Sequence, residues 1–305
     1  MISSTLRKRR FRIAVIILFF TSIMVSFHSC ITFRMSKNEV NQFFQSKNVK
    51  GSQHHYKTGK YTIHYAQAGH ENNPSLSNRQ ALVLFVHGSP GSLSAFIGFL
   101  ADTALTNQAL VITTDRPGFG HSNFGIGEPS LEKQAFALKP IVEKYKNNRP
   151  IILIGHSLGG PVIARMAIDY PNLADGLIFV AASIDPQLEP NETWFRAPFA
   201  SPFLSWILPR SFRASNEEIY QLKPQLEDML PLWKEIKCPV IVIQGQKDSL
   251  VPAGNADFAK KMLINAPVEL LVKEDMNHFV PWSNPELIRQ AILQLLDKRV
   301  LTDSL

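Results

Sequence analysis

The sequence predicts an α/β fold with a mostly parallel sheet that is covered by helices on both faces. Short, continuous apolar runs recur between residues 81 and 275, and such runs are typical of strands that are buried on both faces. Amphipathic helical patterns lie between many of these runs. Strands that alternate with helices favour a parallel sheet, because the crossover helices pack back onto its faces.

Seven segments are candidate strands. The first, at residues 61–69, alternates apolar and polar side chains and is expected at an edge of the sheet. The other six are apolar throughout: residues 81–88, 109–115, 150–157, 176–183, 238–245 and 268–275. Helices are predicted over residues 130–146, 158–170, 258–266 and 285–298. Pro140 lies inside the first of these helices and is expected to kink it.

Residues 186–236 interrupt the alternation of strands and helices. Prolines and aromatic residues crowd the first half of this segment, and its second half is more regularly helical. Long ordered insertions usually form functional lids. We therefore predict that residues 186–236, here called the cap segment, form a helical cap inserted into a core of residues 61–185 and 237–300. The alternative is a long surface excursion that packs on its own aromatic side chains.

Residues 1–29 have the pattern of a signal or anchor segment. Five cations within the first twelve residues precede an apolar run at residues 13–27, which is the order of a secretory signal. Ser29 directly before Cys30 resembles a bacterial lipoprotein cleavage site, although Phe27 and His28 are bulkier than usual there. Residues 13–33 carry no charge, so an uncleaved anchor is the alternative, and simple secretion is a third. We predict a cell-envelope protein tethered to the membrane by lipid or by this anchor, with residues 30–60 as the tether.

The net charge does not indicate a nucleic-acid partner. Removing the five leader cations lowers the balance from +7 to +2, so the excess belongs mainly to the leader and not to a basic groove. The two cysteines, Cys30 and Cys238, allow no disulfide framework and no metal site built from paired cysteines. We expect neither a metal nor an organic cofactor.

The motif GHSLGG at residues 155–160 carries the strongest chemical signal. It places Ser157 between Gly155 and Gly159, after a predicted buried strand and before a predicted helix. Glycines on both sides permit a tight turn that raises the serine hydroxyl clear of the backbone. The alternative is a serine that caps the helix in a glycine-rich turn.

A serine nucleophile needs a base, and the base is itself oriented by an acid. His278 follows the last predicted strand, and Asp248 lies three residues beyond the strand that ends at Gly245. The order Ser157, Asp248, His278 is the one expected for this motif. Asp185 is the alternative acid. A surface histidine and an ordinary turn aspartate are the alternatives without catalytic function.

Two backbone N–H groups are expected to stabilise the oxyanion. One belongs to Leu158, the residue after the nucleophile. The other is expected from HGSPG at residues 87–91, where Ser89 is the best candidate because Pro90 has no N–H. A third loop, DRPGFGHS at residues 115–122, has a predicted structural role in which Asp115 and Arg116 hold neighbouring loops.

Taken together, HGSPG, DRPGFGHS, GHSLGG, GQKDSLVP and NHFVPW resemble the α/β-hydrolase superfamily over residues 60–300. The resemblance implies an eight-stranded, mostly parallel sheet, one strand more than the pattern predicts. The missing strand is expected within residues 50–60 or paired with residues 61–69. The loops HGSPG and DRPGFGHS resemble those of a branch that contains epoxide hydrolases, haloalkane dehalogenases, carbon–carbon bond hydrolases and small esterases. Epoxide hydrolases and haloalkane dehalogenases attack with an aspartate, so Ser157 favours cleavage of an ester or another acyl bond.

The predicted function is therefore hydrolysis of an ester or related acyl bond through an acyl-enzyme. The aromatic cap segment indicates a small-molecule substrate with an apolar acyl or aromatic part. Carbon–carbon bond hydrolysis, peptidase activity and acyl transfer could use the same triad. A non-catalytic binding protein on this fold is the remaining alternative.

Overall fold

A computed structural model of the protein describes residues 15, 18, 32–69, 81–146 and 149–302. Within these ranges eight strands form one sheet. The strands are β1 (Gly51–Thr58), β2 (Tyr61–Ala68), β3 (Ala81–Val86), β4 (Ala109–Thr114), β5 (Ile151–His156), β6 (Gly176–Val180), β7 (Val240–Gly245) and β8 (Val268–Lys273).

The sheet has the order β1-β2-β4-β3-β5-β6-β7-β8. The pairs β1–β2 and β2–β4 are antiparallel, and every other neighbouring pair is parallel. The carboxyl ends of the parallel strands therefore meet along one edge of the sheet. In folds of this kind, ligands bind at that edge.

Helices cover both faces of the sheet, and none in the described part of the chain is long and apolar enough to span a membrane. They are α1 (Lys37–Ser46), α2 (Thr103–Thr106), α3 (Leu131–Tyr145), α4 (Gly159–Asp169), α5 (Thr193–Ala200), α6 (Arg210–Met229), α7 (Gly254–Met262), α8 (Val280–Ser283) and α9 (Pro285–Thr302). Short 3-10 helices span Leu93–Ala101, Ser205–Ile207 and Leu230–Glu235. Helix α3 runs continuously through Pro140.

Two apolar layers hold the helices to the sheet. In β3, Leu82 and Leu84 face the layer formed with α3, α4 and α7, and Val83 and Phe85 face the layer formed with α1, α9 and the 3-10 helix Leu93–Ala101. Alternate residues of a strand point to opposite faces, so an apolar strand feeds both layers at once. This explains why polar and apolar residues do not alternate along the six strands β3 to β8.

The structure begins the sheet ten residues earlier than the predicted boundary at residue 61. Strand β1 supplies the eighth strand and pairs with β2, which consequently lies second in the sheet and not at its edge. The residues of β1 are mostly polar and none is fully buried, because an edge strand leaves part of its surface to solvent. Because of this polar composition, residues 51–58 were predicted to be part of the tether. The predicted signal or anchor lies outside the described residues, apart from Val15 and Leu18.

Candidate active site

Ser157 lies on a sharp turn between β5 and α4. Its φ angle is +52°, a conformation that residues other than glycine adopt uncommonly. A Cβ atom at Gly155 would lie 2.4 Å from the Gly159 carbonyl oxygen, and a Cβ atom at Gly159 would lie 2.2 Å from the Val86 carbonyl oxygen. Both positions therefore require glycine. The N–H of Ser157 donates to Val180 O at 3.0 Å and anchors the turn to β6.

His278 and Asp248 form a buried pair beside this turn. His278 Nδ1 and Asp248 Oδ2 are 2.8 Å apart. Asp248 Oδ1 accepts the N–H groups of Leu250 and Val251 at 2.9 and 2.7 Å. Burial opposes ionisation of this carboxyl group, but the hydrogen bonds from His278 and from the two backbone N–H groups outweigh it and hold the pKa of Asp248 below its usual value. An ionised Asp248 fixes the Nδ1–H tautomer of His278.

Asp185, the alternative acid, has other partners. Its Oδ1 accepts the N–H of Gln187 at 2.9 Å, and its own N–H donates to Asn255 Oδ1 at 2.9 Å. These bonds hold a turn after β6. The structure thus pairs His278 with Asp248 and gives Asp185 a local structural role.

The loop of residues 87–91 passes directly over Ser157. A Cβ atom at Gly88 would lie 2.8 Å from Ser157 Cβ, so a side chain there would push the loop away. Arg116 donates to His87 O at 2.8 Å and to Gly88 O at 2.9 Å. The C=O and N–H groups of one peptide bond point in opposite directions. Arg116 therefore aims the N–H of Ser89 away from itself.

The N–H groups of Ser89 and Leu158 are free to bind a substrate. Neither donates to another residue in the described part of the chain. Both residues line the cavity that also contains Ser157. Two such donors near the nucleophile are the arrangement needed to stabilise a developing oxyanion.

Arg116 also connects this loop to the cap segment. Its side chain is fully buried, and it makes a bidentate pair with Glu218 of α6 at 2.7 and 2.9 Å. Gln134 of α3 also accepts a hydrogen bond from Arg116, at 2.7 Å. These hydrogen bonds describe how Arg116 holds neighbouring loops, as predicted. The link to Glu218, 102 residues away, was not predicted.

A cavity of about 470 Å³ lies between the core and the cap segment. Ser89, Ser157, Leu158 and His278 face it from the core. Apolar side chains of the cap segment form much of the opposite wall: Phe195, Phe199, Leu208, Phe212, Ile219 and Leu222. A larger cavity, of about 630 Å³, is lined by Cys238 and its neighbours at the amino ends of β6 and β7 and contains none of these site residues.

The cavity also has a polar part that sequence reasoning missed. Ser183 Oγ donates to Glu189, whose pKa is raised by burial. Arg196 donates to Glu192 at 2.5 Å, so its charge is matched within the cap segment. These residues belong to no motif, and only their position after β6 could have indicated a place near the site.

His156, the residue before the proposed nucleophile, positions His278. The two rings are 4.8 Å apart between centroids, and His156 Nε2 and His278 O are 3.0 Å apart. Burial, followed by the nearby charge of His278, lowers the pKa of His156 to about 3. His156 is therefore neutral at ordinary pH and donates its Nε2–H to the backbone of His278. The described residues contain no group of three or more metal-ligating side chains.

Comparisons with known proteins agree with this geometry. A family model described as "alpha/beta hydrolase fold" matches residues 81–214, which include the loop of residues 87–91, the turn at Ser157 and part of the cap segment. This match and the eight-stranded sheet show the α/β-hydrolase fold and support the α/β-hydrolase superfamily. The superfamily was predicted from the motifs, and both the family and the fold are confirmed.

This α/β-hydrolase is similar to curated proteins with different names. It is 25% identical over 199 residues to the mitochondrial palmitoyl-protein thioesterase ABHD10 of Bos taurus, covering 61% of this chain and 63% of the thioesterase. The chain thus spans less than two thirds of that relative. It is 22% identical over 271 residues to a 2-hydroxy-6-oxononadienedioate/2-hydroxy-6-oxononatrienedioate hydrolase of Pseudomonas sp, covering 77% and 92% of the two chains.

Among solved structures, the chain is similar to a membrane phospholipase A described as a bacterial virulence factor. The TM-score is 0.62 at 16% identity, with 95% of this chain and 98% of the other covered. At this level of identity the likeness shows the fold alone.

Proposed function

We propose that this α/β-hydrolase is a serine hydrolase that cleaves an ester or related acyl bond through an acyl-enzyme intermediate. One observation carries the proposal. Ser157 on its strained turn, the His278–Asp248 pair and two free backbone N–H groups all border the same cavity of about 470 Å³. Nucleophile, base, acid and oxyanion donors are the parts that acyl transfer requires.

The reaction follows from the positions of these groups. Ser157 Oγ attacks the carbonyl carbon as His278 takes its proton, and Asp248 stabilises the resulting imidazolium. The N–H groups of Leu158 and Ser89 bind the oxyanion of the tetrahedral intermediate. His278 then gives the proton to the leaving oxygen, which departs. Water, activated by His278, attacks the acyl-enzyme and releases the acid.

The cavity favours an uncharged acyl group. Its apolar cap wall fits an alkyl or aromatic chain. Among the described residues that line it, the cation is Arg196, whose charge is matched by Glu192, and Glu189 adds a further carboxyl group. A dicarboxylate of the kind named for the Pseudomonas relative would bring two negative charges to this acidic lining. We therefore favour an ester over a dicarboxylate carbon–carbon bond substrate.

We further propose that the protein is exported and tethered to the cell envelope through residues 1–30. The five cations, the apolar run at residues 13–27 and Cys30 support this proposal. Val15 and Leu18 are exposed, so the body of the protein does not bury these two apolar side chains.

The test is a panel of p-nitrophenyl esters of increasing acyl length, with Ser157→Ala beside the native chain. We expect turnover by the native chain, a preference among acyl lengths set by the cavity, and loss of turnover in the variant. Turnover that survives in Ser157→Ala would contradict the proposed nucleophile. Absence of turnover in both proteins, together with no reaction of Ser157 with a fluorophosphonate, would favour a binding protein on this fold.

A further inference from the structure

Thr32 and Phe33, which follow the predicted leader, contact the cap segment. Ser211 Oγ of α6 donates to Thr32 O at 2.7 Å. The Phe33 ring meets the Phe212 ring edge to face, with centroids 5.3 Å apart. Phe212 in turn lines the cavity that contains Ser157. The leader is therefore connected to the body beside the proposed active site.

This connection limits how far the cap segment can lie from an anchored leader. The apolar run ends at residue 27, five residues before Thr32. A fully extended chain covers at most about 3.6 Å per residue, so this interval spans at most about 18 Å. A leader held in a bilayer thus brings the cap segment close to the bilayer surface.

The cap segment presents large apolar side chains on its outer surface. Trp194 of α5 is 81% exposed, Phe203 is 85% exposed and Trp206 is 59% exposed. Phe195 and Phe199, on the same helix α5, line the cavity. Helix α5 therefore presents Trp194 to the outside and contributes Phe195 and Phe199 to the proposed acyl site, and Phe203 and Trp206 follow it in the chain. Tryptophan is enriched where proteins meet the membrane interface, because its ring is apolar and its N–H is polar.

Cationic side chains lie at the same connection. The guanidinium groups of Arg34 and Arg210 lie over the ring of Phe124, at 3.9 and 5.9 Å from its centroid. Arg210 is exposed at the first turn of α6, next to Ser211, which holds Thr32. Arg210 is thus an exposed cation of the cap segment, and exposed cations complement the headgroups of anionic lipids.

We propose that the cap segment rests on an anionic lipid bilayer, with Trp194, Phe203 and Trp206 at the level of the headgroups. In this orientation the cavity takes its acyl substrate directly from the bilayer. The inference rests on the proposed function in two respects, the anchored leader and the acyl site.

Tryptophan quenching tests this orientation independently of catalysis. The full chain is reconstituted in phosphatidylcholine–phosphatidylglycerol vesicles, with or without bromine on the acyl chains. A Trp282→Phe background leaves Trp194 and Trp206 on the cap segment and Trp233, which is fully buried, as an internal reference. We expect the brominated lipid to reduce the emission, and we expect Trp194→Phe with Trp206→Phe to abolish that loss.

A matched probe on the far side of the molecule serves as the control. Ile264 is 71% exposed and precedes β8, at the amino edge of the sheet, whereas Ser157 and its cavity lie at the carboxyl edge. With the three exposed tryptophans replaced by phenylalanine, Ile264→Trp is expected to keep its full emission in brominated vesicles.

Three outcomes would overturn the inference: cap tryptophans that are not quenched, a quenched probe at Ile264→Trp, and a chain that does not float with the vesicles. Turnover of a soluble p-nitrophenyl ester by the same preparation separates this inference from the proposed function. Quenched cap tryptophans without turnover support the bilayer contact and contradict the hydrolase proposal. Turnover without quenching contradicts the bilayer contact alone.

Discussion

The described residues form two buried aspartate–histidine pairs of nearly identical geometry. Asp248 Oδ2 and His278 Nδ1 are 2.8 Å apart, and Asp115 Oδ2 and His64 Nδ1 are also 2.8 Å apart. Each aspartate accepts two backbone N–H groups besides the histidine, and hydrogen bonds hold the pKa of each below its usual value despite burial. Distance and burial alone do not distinguish the two pairs.

The pairs differ at the second nitrogen of the imidazole. His64 Nε2 lies 3.1 Å from Gln53 Oε1, so both of its ring nitrogens are hydrogen-bonded within the described chain, to Asp115 and to Gln53. His278 lines the cavity that also contains Ser157. An aspartate–histidine pair is therefore a candidate site only where the far nitrogen opens toward a nucleophile. We call the two arrangements the site pair (Asp248–His278) and the structural pair (Asp115–His64).

The largest expected difference between the pairs comes from replacing each aspartate with asparagine. Asp248→Asn is expected to lower kcat by about 10⁴-fold, because the Nδ1–H tautomer and the imidazolium lose their partner. Asp115→Asn leaves His64 buried beside a weaker partner and is expected to lower the free energy of unfolding by about 3 kcal/mol. Ester kinetics and urea unfolding of both variants test whether Asp248→Asn mainly lowers kcat and Asp115→Asn mainly lowers stability. A large loss of turnover per folded Asp115→Asn molecule would contradict it.

The next effect concerns the loop that accompanies the site pair and has no counterpart at the structural pair. In Gly88→Ala the new methyl group would lie 2.8 Å from Ser157 Cβ, so the loop and the Ser89 N–H must shift. We expect kcat to fall by about 10²-fold with little change in KM, as for loss of one oxyanion donor. Gly98→Ala is the control, because a Cβ atom there meets nothing within 4 Å. Equal kinetics for the two variants would argue against Ser89 as a donor.

Each pair also packs against a further histidine, and these differ in their response to acid. His156 lies on His278, and burial lowers its pKa to about 3, while the half-buried His121 lies on His64. Below pH 6.5 the unfolded chain protonates at position 156 and the folded chain does not. Stability is therefore lost as pH falls from about 6.5 toward 3, by up to about 1.4 kcal/mol per pH unit for this group.

Urea unfolding as a function of pH measures this contribution. His156→Gln retains a donor for His278 O. It is expected to reduce the loss of stability between about pH 6.5 and pH 3, because one protonation linked to unfolding is removed. His121→Gln is the matched variant and is expected to flatten it less, since its ring is only half buried. A larger change in His121→Gln would show that the acid sensitivity lies at the structural pair.

The smallest expected effect comes from removing the hydrogen-bond partner of the structural pair at His64 Nε2. Gln53→Ala removes the acceptor at His64 Nε2 and also the two exposed hydrogen bonds that the Gln53 amide donates to Lys37 O and Asn41 Oδ1. It is expected to cost about 1 kcal/mol of stability, because the exposed bonds are readily replaced by bonds to water. Among the described residues, the His64 ring nitrogens are hydrogen-bonded to Asp115 and Gln53, so ester turnover is expected to stay unchanged. Thermal unfolding and ester kinetics test both halves of this expectation, and a change in turnover would link the structural pair to the reaction.

The sequence predicted the site pair because its residues occupy fixed places relative to the strands. Gly155 is required by the Gly159 carbonyl in the same turn, and Gly159 by the Val86 carbonyl at the end of β3. Asp248 and His278 each follow the end of a strand. Each of these positions is fixed relative to a strand end, so a short motif marks it. Helix α1 was not predicted, although Ser36 and Glu39 form a capping box at its start that is visible in the sequence.

The structural pair and the polar part of the cavity could not be predicted in the same way. His64 and Asp115 are 51 residues apart and meet only because β2 pairs with β4. Glu189 and Arg196 reach the cavity through the path of the cap segment, which contains no motif. Such contacts depend on tertiary packing, which leaves no periodic trace in the sequence.

Identification of the serine that reacts with a fluorophosphonate tests the central claim most directly. The full chain is labelled, digested and mapped by mass spectrometry, beside Ser157→Ala and His278→Gln. The account predicts a single adduct on the peptide that contains Ser157, none in Ser157→Ala and strongly slowed labelling in His278→Gln. An adduct on another serine, or labelling of Ser157 at an undiminished rate in His278→Gln, would contradict the assignment of this nucleophile and its base.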